Sequence, residues 1–178
     1  MDYKIVNNIL TPNLIKYLKT ILADLRFEIG KDTSDNENIF GKDVNTKGMM
    51  CCTSLDKYKN ELISIRLNDF GFIITEIVCK KLNLNLKQIK RIMWNYYTQN
   101  EVGSYHCDHD QNNHYSILYS LNTSDGYIEI SDEKIYDIED EAKIFKSNLK
   151  HRGVGPTKTK YRLNLNVLVE VNNNGTFT

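Results

Sequence analysis

The spacing of apolar residues changes along the chain, from a helical period in the first half to a strand period in the second. The stretch TPNLIKYLKTILADLRFEIG, residues 11–30, predicts an amphipathic helix. Thr11 suits the N-cap, Pro12 suits the first helical position, and Gly30 can end the helix. Its apolar residues follow the three-to-four spacing of one apolar face: Leu14, Ile15, Leu18, Ile21, Leu22 and Leu25.

A second helical region is predicted from Ser54, a candidate N-cap, to Leu82. Gly71 is expected to divide or bend it, since glycine weakens a helix interior. Its apolar positions are Tyr58, Leu62, Ile65, Phe70, Ile73, Ile74, Ile77 and Val78. Between the two helices, residues 31–50 are mostly polar and lack a period, which is typical of a surface loop or of a lid over an active site.

From Ile89 onward the chain predicts short strands. They are RIMWNYYT (91–98), HYSILYSLNT (114–123), GYIEI (126–130), EKIYDI (133–138), AKIFKS (142–147) and YRLNLNVLVEV (161–171). The last strand has a clear period of two, which places an apolar face (Tyr161, Leu163, Leu165, Val167, Val169, Val171) opposite a more polar one (Arg162, Asn164, Asn166, Leu168).

Helices followed by six or more strands predict a single α+β domain over residues 1–178. The helical part, about 1–87, is expected to support a β-sandwich or barrel formed by about 88–172.

The charge balance argues against nucleic acid as the main partner. Lys+Arg and Asp+Glu both number 23, so the net charge is zero, whereas phosphate binding usually requires a basic excess. The densest basic run, KKLNLNLKQIKR at 80–91, is interpreted as a solvated helix face rather than a phosphate-binding track.

No segment predicts secretion or a membrane span. The start MDYKIVNNIL does not resemble a signal peptide, and no apolar run approaches the roughly 20 residues of a membrane helix. Cys51, Cys52, Cys79 and Cys107 form no C-x-x-C and are interpreted as free thiols of a reducing compartment, which predicts a cytoplasmic protein.

The stretch SYHCDHDQNNH, residues 104–114, contains three of the four histidines and two aspartates. On an extended segment, residues two apart project to the same face, so His106 and Asp108 can reach one metal ion. The one distant histidine, His151, follows a predicted strand and can supply a third ligand. Two histidines and one carboxylate form the facial triad of non-heme iron(II) oxygenases, which leaves coordination positions open.

The open coordination positions on the metal require a co-substrate, and Arg162 indicates that this co-substrate is an anion. Arg162 follows His151 by eleven residues and lies on the polar face of the last strand. A buried guanidinium needs an anionic partner, and its geometry suits a carboxylate through two parallel hydrogen bonds. Lys160 has the same parity on the strand and is the rival candidate for this carboxylate.

The order H-x-D, distal His and then Arg resembles the 2-oxoglutarate- and Fe(II)-dependent dioxygenases. The resemblance covers roughly 88–170: VGSYHCDHD is similar to the metal-binding turn, and FKSNLKHRGVGPTKTKYRLNLNVLV to the second half of the domain. It implies a double-stranded β-helix, or jelly roll. It further implies that His106, Asp108 and His151 bind Fe(II), that 2-oxoglutarate and O₂ are co-substrates, and that Arg162 rather than Lys160 binds the distal carboxylate.

A second likeness concerns the co-substrate. The stretch WNYYTQNEVGSYHCD is similar to the N-x-Y…H-x-D arrangement of the alkylated-base demethylases, and this implies that Asn95 and Tyr97 contact 2-oxoglutarate. Asn164 stands where many members have serine and is a further candidate contact. The arginine spacing looks more like that of the prolyl hydroxylases and of phage or viral hydroxylases.

The other residues of the 104–114 stretch are not expected to bind the metal. Cys107 is expected to point to the opposite face and to pack as a small apolar group. His109 and Asp110 are expected to support the site or to face solvent, and His114 to lie on the surface where a strand begins. A catalytic zinc ion is the alternative metal, but it gives Arg162 no role.

The sequence therefore predicts a 2-oxoglutarate- and Fe(II)-dependent dioxygenase that hydroxylates a C–H bond. A protein side chain, such as that of proline, is favoured as the primary substrate over nucleic acid, and a nucleobase or a small molecule remains an alternative. A non-catalytic jelly-roll module that binds a metal or a carboxylate is the alternative from another functional class.

Overall fold

The structure, a computed structural model, describes residues 2–23, 28–29, 50–57, 61–62 and 65–172. These residues form two helices and eleven strands. In chain order the elements are β1 (Tyr3–Asn7), α1 (Pro12–Ala23), β2 (Glu28–Ile29), β3 (Met50–Asp56), β4 (Glu61–Leu62), α2 (Ile65–Lys81), β5 (Leu86–Tyr97), β6 (His114–Ser120), β7 (Ser124–Ile130), β8 (Glu133–Asp137), β9 (Glu141–Lys146), β10 (His151–Val154) and β11 (Arg162–Val171).

The strands form two antiparallel sheets. The larger sheet has the order β1-β9-β6-β11-β5-β3-β2, with β4 paired to β3, and the smaller has the order β10-β7-β8. The sheets pack face to face through apolar side chains of both: Tyr3, Leu118 and Phe145 of the larger sheet and Ile128, Ile130 and Ile135 of the smaller. This is the sandwich of short strands that the alternating pattern predicts.

The other face of the larger sheet packs against the helices. Leu18 of α1 and Ile74 of α2 share one apolar cluster with Trp94 and Val167 of the sheet. All ten residues of β11 are buried, because one face contacts the helices and the other faces the smaller sheet. The period of two is therefore confirmed: the apolar face of β11 supports the helix side, and the polar face points between the sheets.

Three predictions about the first half need correction. The second helix begins at Ile65 and not at Ser54, because Ser54 lies in β3, whose backbone pairs with β5. Gly71 does not divide α2. A Cβ atom there would lie 2.8 Å from two side-chain carbons of Ile92, so glycine permits the close approach of helix and sheet. Strands β1, β2, β3, β4 and β10 were not predicted. Of these, β2 lies within residues 11–30, predicted as the first helix, and β4 lies within residues 54–82, predicted as the second.

Some predictions lie outside the described residues. These are the 31–49 part of the polar segment and the end of the first helix around Leu25 and Gly30, although α1 itself ends at Ala23. Thr11 caps α1 as predicted: its side-chain hydroxyl accepts from the Leu14 backbone N–H at 3.4 Å. Neither helix of the described part combines the length and the apolar character that crossing a membrane requires.

The basic run at 80–91 is not one solvated helix face. Lys80 and Lys81 end α2, but Lys87, Lys90 and Arg91 lie on β5. The Nζ atoms of Lys87 and Lys90 contact the Glu170 carboxylate at 2.6 and 2.7 Å. Arg91 points between the sheets and lines the cavity there. The charge pattern did not predict a buried cation from this run.

Candidate metal centre

Two histidines far apart in the chain meet at one edge of the smaller sheet. The segment before His106 runs antiparallel to β10, with Val102 opposite Val154 and His106 opposite His151. The two histidines exchange backbone hydrogen bonds, each 2.9 Å from nitrogen to oxygen, and their ring centroids lie 4.5 Å apart. Backbone pairing therefore determines the distance between the two imidazoles.

A backbone carbonyl orients each imidazole. Nδ1 of His106 lies 2.9 Å from the Ser104 carbonyl oxygen, and Nδ1 of His151 lies 2.9 Å from the Leu149 carbonyl oxygen. Because a carbonyl can only accept, each Nδ1 carries the proton and donates it. Each Nε2 is then left with a lone pair, and both Nε2 atoms lie near Asp108, at 3.9 Å for His106 and 3.6 Å for His151.

Polar side chains from three strands hold the Asp108 carboxylate. Nη2 of Arg91 lies 2.6 Å from its Oδ1, the Ser116 hydroxyl donates to Oδ2 at 2.6 Å, and Asn166 donates to Oδ2 at 3.4 Å. Burial alone would raise the pKa of Asp108, but Arg91, the two histidines and Ser116 outweigh it and hold the pKa far below its ordinary range. Asp108 is therefore a buried carboxylate.

The three side chains fit a divalent metal ion. The ligand atoms of His106, Asp108 and His151 all lie within 4.8 Å of one another, and no other such group occurs in the described part of the chain. Burial lowers the pKa of His151, which favours the neutral imidazole that a metal requires. Two imidazole nitrogens and one carboxylate oxygen, with coordination positions left open toward a cavity, suit Fe(II).

Of the two candidates for binding the co-substrate carboxylate, the structure places Arg162 and not Lys160 at the cavity. Lys160 is exposed and precedes β11, whereas Arg162 is 1 % exposed and lines the cavity. Its Nε donates to Oδ2 of Asp137 at 2.7 Å, and Nη2 lies 3.4 Å from Oδ1. The anionic partner that a buried Arg162 requires is thus an internal carboxylate, whereas the sequence predicts a co-substrate carboxylate. Its Nη1 is buried without a hydrogen-bond partner among the described residues.

Of the other three residues predicted to contact the co-substrate, two line the cavity and one does not. Asn95 and Tyr97 line the cavity, and the Arg162 guanidinium lies 4.8 Å from the centre of the Tyr97 ring. Burial raises the pKa of Tyr97, so it keeps its hydroxyl proton. Asn164 does not line this cavity; its Oδ1 accepts a hydrogen bond from Asn95 at 3.1 Å.

Four residues around the site were not predicted. Asn166 has the same strand parity as Arg162, and that parity could have identified it. Ser116 lies near the start of a predicted strand. Arg91 ends the basic run at 80–91, which the charge pattern predicts to be a solvated helix face. Nothing in the local sequence distinguishes Asp137, because only the pairing of β7 with β8 places it beside Arg162.

The other members of the 104–114 cluster lie around the metal centre. Asp110 is 95 % exposed, as expected for a solvent-facing residue. The His109 ring stacks on that of His114, with centroids 3.8 Å apart. His114 begins β6 as predicted but is buried rather than on the surface. The packing predicted for Cys107 is wrong: it is exposed, and its Sγ lies 3.3 Å from the Asn148 carbonyl oxygen, because the turn carries it outward.

Comparison with known proteins identifies the fold. No protein-family model matches the chain, and no curated protein matches its sequence. Among solved structures, the chain is similar to a 2OG-Fe(II) oxygenase family oxidoreductase from Burkholderia pseudomallei, with a TM-score of 0.69, 12% identity, and 99% and 87% of the two chains covered.

Two prolyl hydroxylases are also similar. The 2OG complex of a viral collagen prolyl hydroxylase from Paramecium bursaria Chlorella virus-1 has a TM-score of 0.61 at 12% identity, with 96% of this chain and 97% of that chain covered. A Trichoplax adhaerens prolyl hydroxylase in complex with a hypoxia inducible factor peptide has a TM-score of 0.63 at 16% identity, with 95% and 83% covered. The predicted jelly-roll fold is confirmed: this chain has the fold of these oxygenases, with a His-Asp-His group between its two sheets.

Proposed function

We propose that the chain is a 2-oxoglutarate- and Fe(II)-dependent dioxygenase that hydroxylates a C–H bond. The observation that carries the proposal is the convergence of one carboxylate and two oriented imidazoles, with ligand atoms within 4.8 Å of one another, on a cavity that also contains a buried arginine. Fe(II), 2-oxoglutarate and O₂ when bound supply the oxidative chemistry, and the chain supplies ligands, orientation and a site that excludes water.

His106, Asp108 and His151 hold the metal in this proposal. The Ser104 and Leu149 carbonyls keep the Nδ1 protons in place, so that each histidine presents Nε2 without a change of tautomer. Asp108 is already ionised, so it has no proton to release when the metal binds.

The co-substrate lies in the cavity between the metal ligands and Arg162. The Nη1 group of Arg162 is a buried donor without a partner among the described residues, which supports a role for it in binding the distal carboxylate of 2-oxoglutarate. Tyr97 and Asn95 line the same cavity and are proposed contacts. Asn164 is proposed to act through Asn95, which it orients by their hydrogen bond.

Apolar side chains complete the cavity. Met93, Leu118 and Ile128 line it, and all three are buried. They limit the entry of water, and a low dielectric strengthens the contact between Arg162 and a carboxylate.

A protein side chain is the proposed primary substrate. Similar structures include prolyl hydroxylases from a bacterium, a virus and an animal, and one of them is a complex with a peptide. The zero net charge of this chain also suits a peptide better than a nucleic acid.

An anaerobic titration with Fe(II) and 2-oxoglutarate tests the proposal. The wild-type chain should develop a visible charge-transfer band that bleaches when O₂ is admitted, and it should release succinate. Asp108→Ala should lose both signals, whereas Asp110→Ala, which removes an exposed carboxylate two residues away, should keep them. Metal binding without a band or succinate would contradict the proposal and favour a non-catalytic binding module.

Substrate class is tested separately by succinate release above the uncoupled rate. Proline-containing peptides should stimulate succinate release and gain 16 Da, whereas alkylated oligonucleotides should do neither. Stimulation by the oligonucleotides alone would overturn the assignment to a protein side chain and leave the assignment as an oxygenase intact.

A further inference from the structure

A buried network of four charged side chains lies beside the cavity. Asp137 pairs with Arg162 and also with Lys143, whose Nζ lies 3.2 Å from Asp137 Oδ1. Glu141 joins through the same Nζ at 3.2 Å. The side chains are between 0% and 7% exposed, so water does not screen these contacts. The network contains two cations and two anions and is neutral before any ligand enters.

Lys143 has no donor left for a further anion. Its ammonium carries three protons, and its Nζ contacts Asp137, Glu141 and the Ser120 hydroxyl, the last at 3.0 Å. The available cation at this end of the cavity is therefore Arg162.

Arg162 is held on several sides. Asp137 engages Nε and Nη2, which is the edge that usually binds a carboxylate through two parallel bonds. A Cβ atom at Gly126 would lie 2.8 Å from Cδ of Arg162, and one at Gly153 would lie 3.0 Å from Nη1 and overlap the Tyr97 hydroxyl. The absence of side chains at both glycines lets the guanidinium occupy this one position, with Nη1 beside Tyr97.

We propose that Asp137 is a positioning residue for co-substrate binding. It occupies the Nε and Nη2 edge of Arg162 and turns Nη1 into the cavity, so the distal carboxylate of 2-oxoglutarate binds at Nη1 and the Tyr97 hydroxyl. This proposal rests on the proposed function, since it names how that co-substrate is held. It replaces the bidentate contact that the sequence predicts.

The matched variants Asp137→Asn and Glu141→Gln distinguish the positioning of Arg162 from the effect of removing one negative charge from the network. Each removes one negative charge from the same network. Among the described residues, the ion pair of Glu141 is with Lys143, and Asp137 is the one of these two carboxylates that contacts Arg162. If charge alone mattered, both variants would become more positive and bind 2-oxoglutarate more tightly. If Asp137 positions Arg162, Asp137→Asn binds it more weakly.

Isothermal titration of 2-oxoglutarate into Zn(II)-loaded protein measures this without turnover. We expect Asp137→Asn to weaken binding about tenfold or more, the scale of one hydrogen bond to a charged group, and Glu141→Gln to bind at least as tightly as wild type. Zn(II) affinity and, in Fe(II)-loaded protein, kcat at saturating 2-oxoglutarate should stay near wild type while KM rises. Equal or tighter binding by Asp137→Asn overturns the proposal.

Two further measurements test the role of Asp137 if the Asp137→Asn variant does not fold. The double variant Asp137→Asn with Lys143→Met removes one charge of each sign and should show the same loss of affinity. A crystal structure of the wild-type chain with Zn(II) and 2-oxoglutarate should show the carboxylate on Nη1 with the Asp137 pair intact. A carboxylate on Nε and Nη2, with Asp137 displaced, refutes positioning by Asp137. Failure of the wild-type chain to bind 2-oxoglutarate at all refutes the proposed function instead.

Discussion

His106 and His151 lie opposite each other on antiparallel segments and exchange two backbone hydrogen bonds of 2.9 Å. Their side chains therefore leave the backbone at adjacent positions, and carbonyl groups of the same two segments fix both rings. The spacing of the proposed metal ligands depends on this short backbone pairing, so changes in the pairing should alter metal binding even where no ligand is changed.

Gly103→Ala tests this dependence on the backbone. A Cβ atom at Gly103 would lie 2.9 Å from the backbone oxygen of Gly153, and a backbone atom cannot turn aside as a side chain does. The segment that carries His106 should therefore move away from β10. We expect Zn(II) affinity to fall about tenfold, at the lower end of the effects seen when groups that orient ligands are disturbed. Unchanged affinity, in a variant whose circular dichroism matches wild type, would contradict this account.

Ser116→Ala should weaken metal binding through Asp108. The Ser116 hydroxyl donates to Oδ2 of Asp108 at 2.6 Å and is fully buried. Its loss leaves that oxygen less well oriented, and we expect Zn(II) affinity to fall roughly 10-fold or more. Ser120→Ala is the matched control, since Ser120 is a buried serine on the same strand whose hydroxyl accepts from Lys143. Equal losses in the two variants would refute a specific role for Ser116.

His114 should make the stability of the metal-free protein depend on pH. Burial, and then the neighbouring His109, lower the pKa of His114 below its ordinary value of about 6.5. The unfolded chain then binds the proton more readily, so stability is fully present above pH 6.5 and is lost as the pH falls toward the folded-state pKa.

The measurement for His114 is the free energy of unfolding by urea between pH 7.5 and pH 5.5, with a chelator present. The wild-type chain should lose stability as the pH falls, and His114→Gln should lose less over the same range. His151, whose pKa burial also lowers, should contribute to the slope that remains in the variant. Identical slopes for the two proteins would show that His114 does not contribute.

Asp140 should stabilise the connection between β1 and α1. Its carboxylate accepts from the backbone N–H of Ile9 at 3.1 Å and of Leu10 at 2.8 Å, and from the Tyr119 hydroxyl at 3.0 Å. Asp140→Ala leaves these donors unsatisfied, and we expect a loss of about 1–3 kcal/mol in the free energy of unfolding.

Asp140→Asn is the control for that prediction. Asparagine keeps one acceptor oxygen and tolerates the left-handed backbone of this position, where φ is 63°. It should therefore lose less stability than the alanine variant in a urea titration. Equal losses in the two variants would contradict this prediction, because both remove the negative charge and only asparagine keeps an acceptor oxygen.

Local periodicity was sufficient for much of the fold. The strand that ends the domain was identified because Leu163, Leu165 and Val167 alternate with polar residues, and the structure buries both faces. Periodicity did not identify β3 around Ser54, because this short strand of mixed residues has neither a clear helical nor a clear strand period. Gly71 was misjudged because its role is a contact with Ile92, which is distant in sequence.

The sequence by itself determined which residues belong to the proposed metal site, because His106 and Asp108 share one face of an extended segment and His151 was the one distant histidine available. Tertiary structure alone decided how those residues are held. The Asp108 contacts with Arg91 and Ser116, the exposure of Lys160 and the pairing of Asp137 with Arg162 all depend on strand register. Strand register brings together residues that are distant in sequence and that no local periodicity connects. The packing of the whole sandwich determines that register.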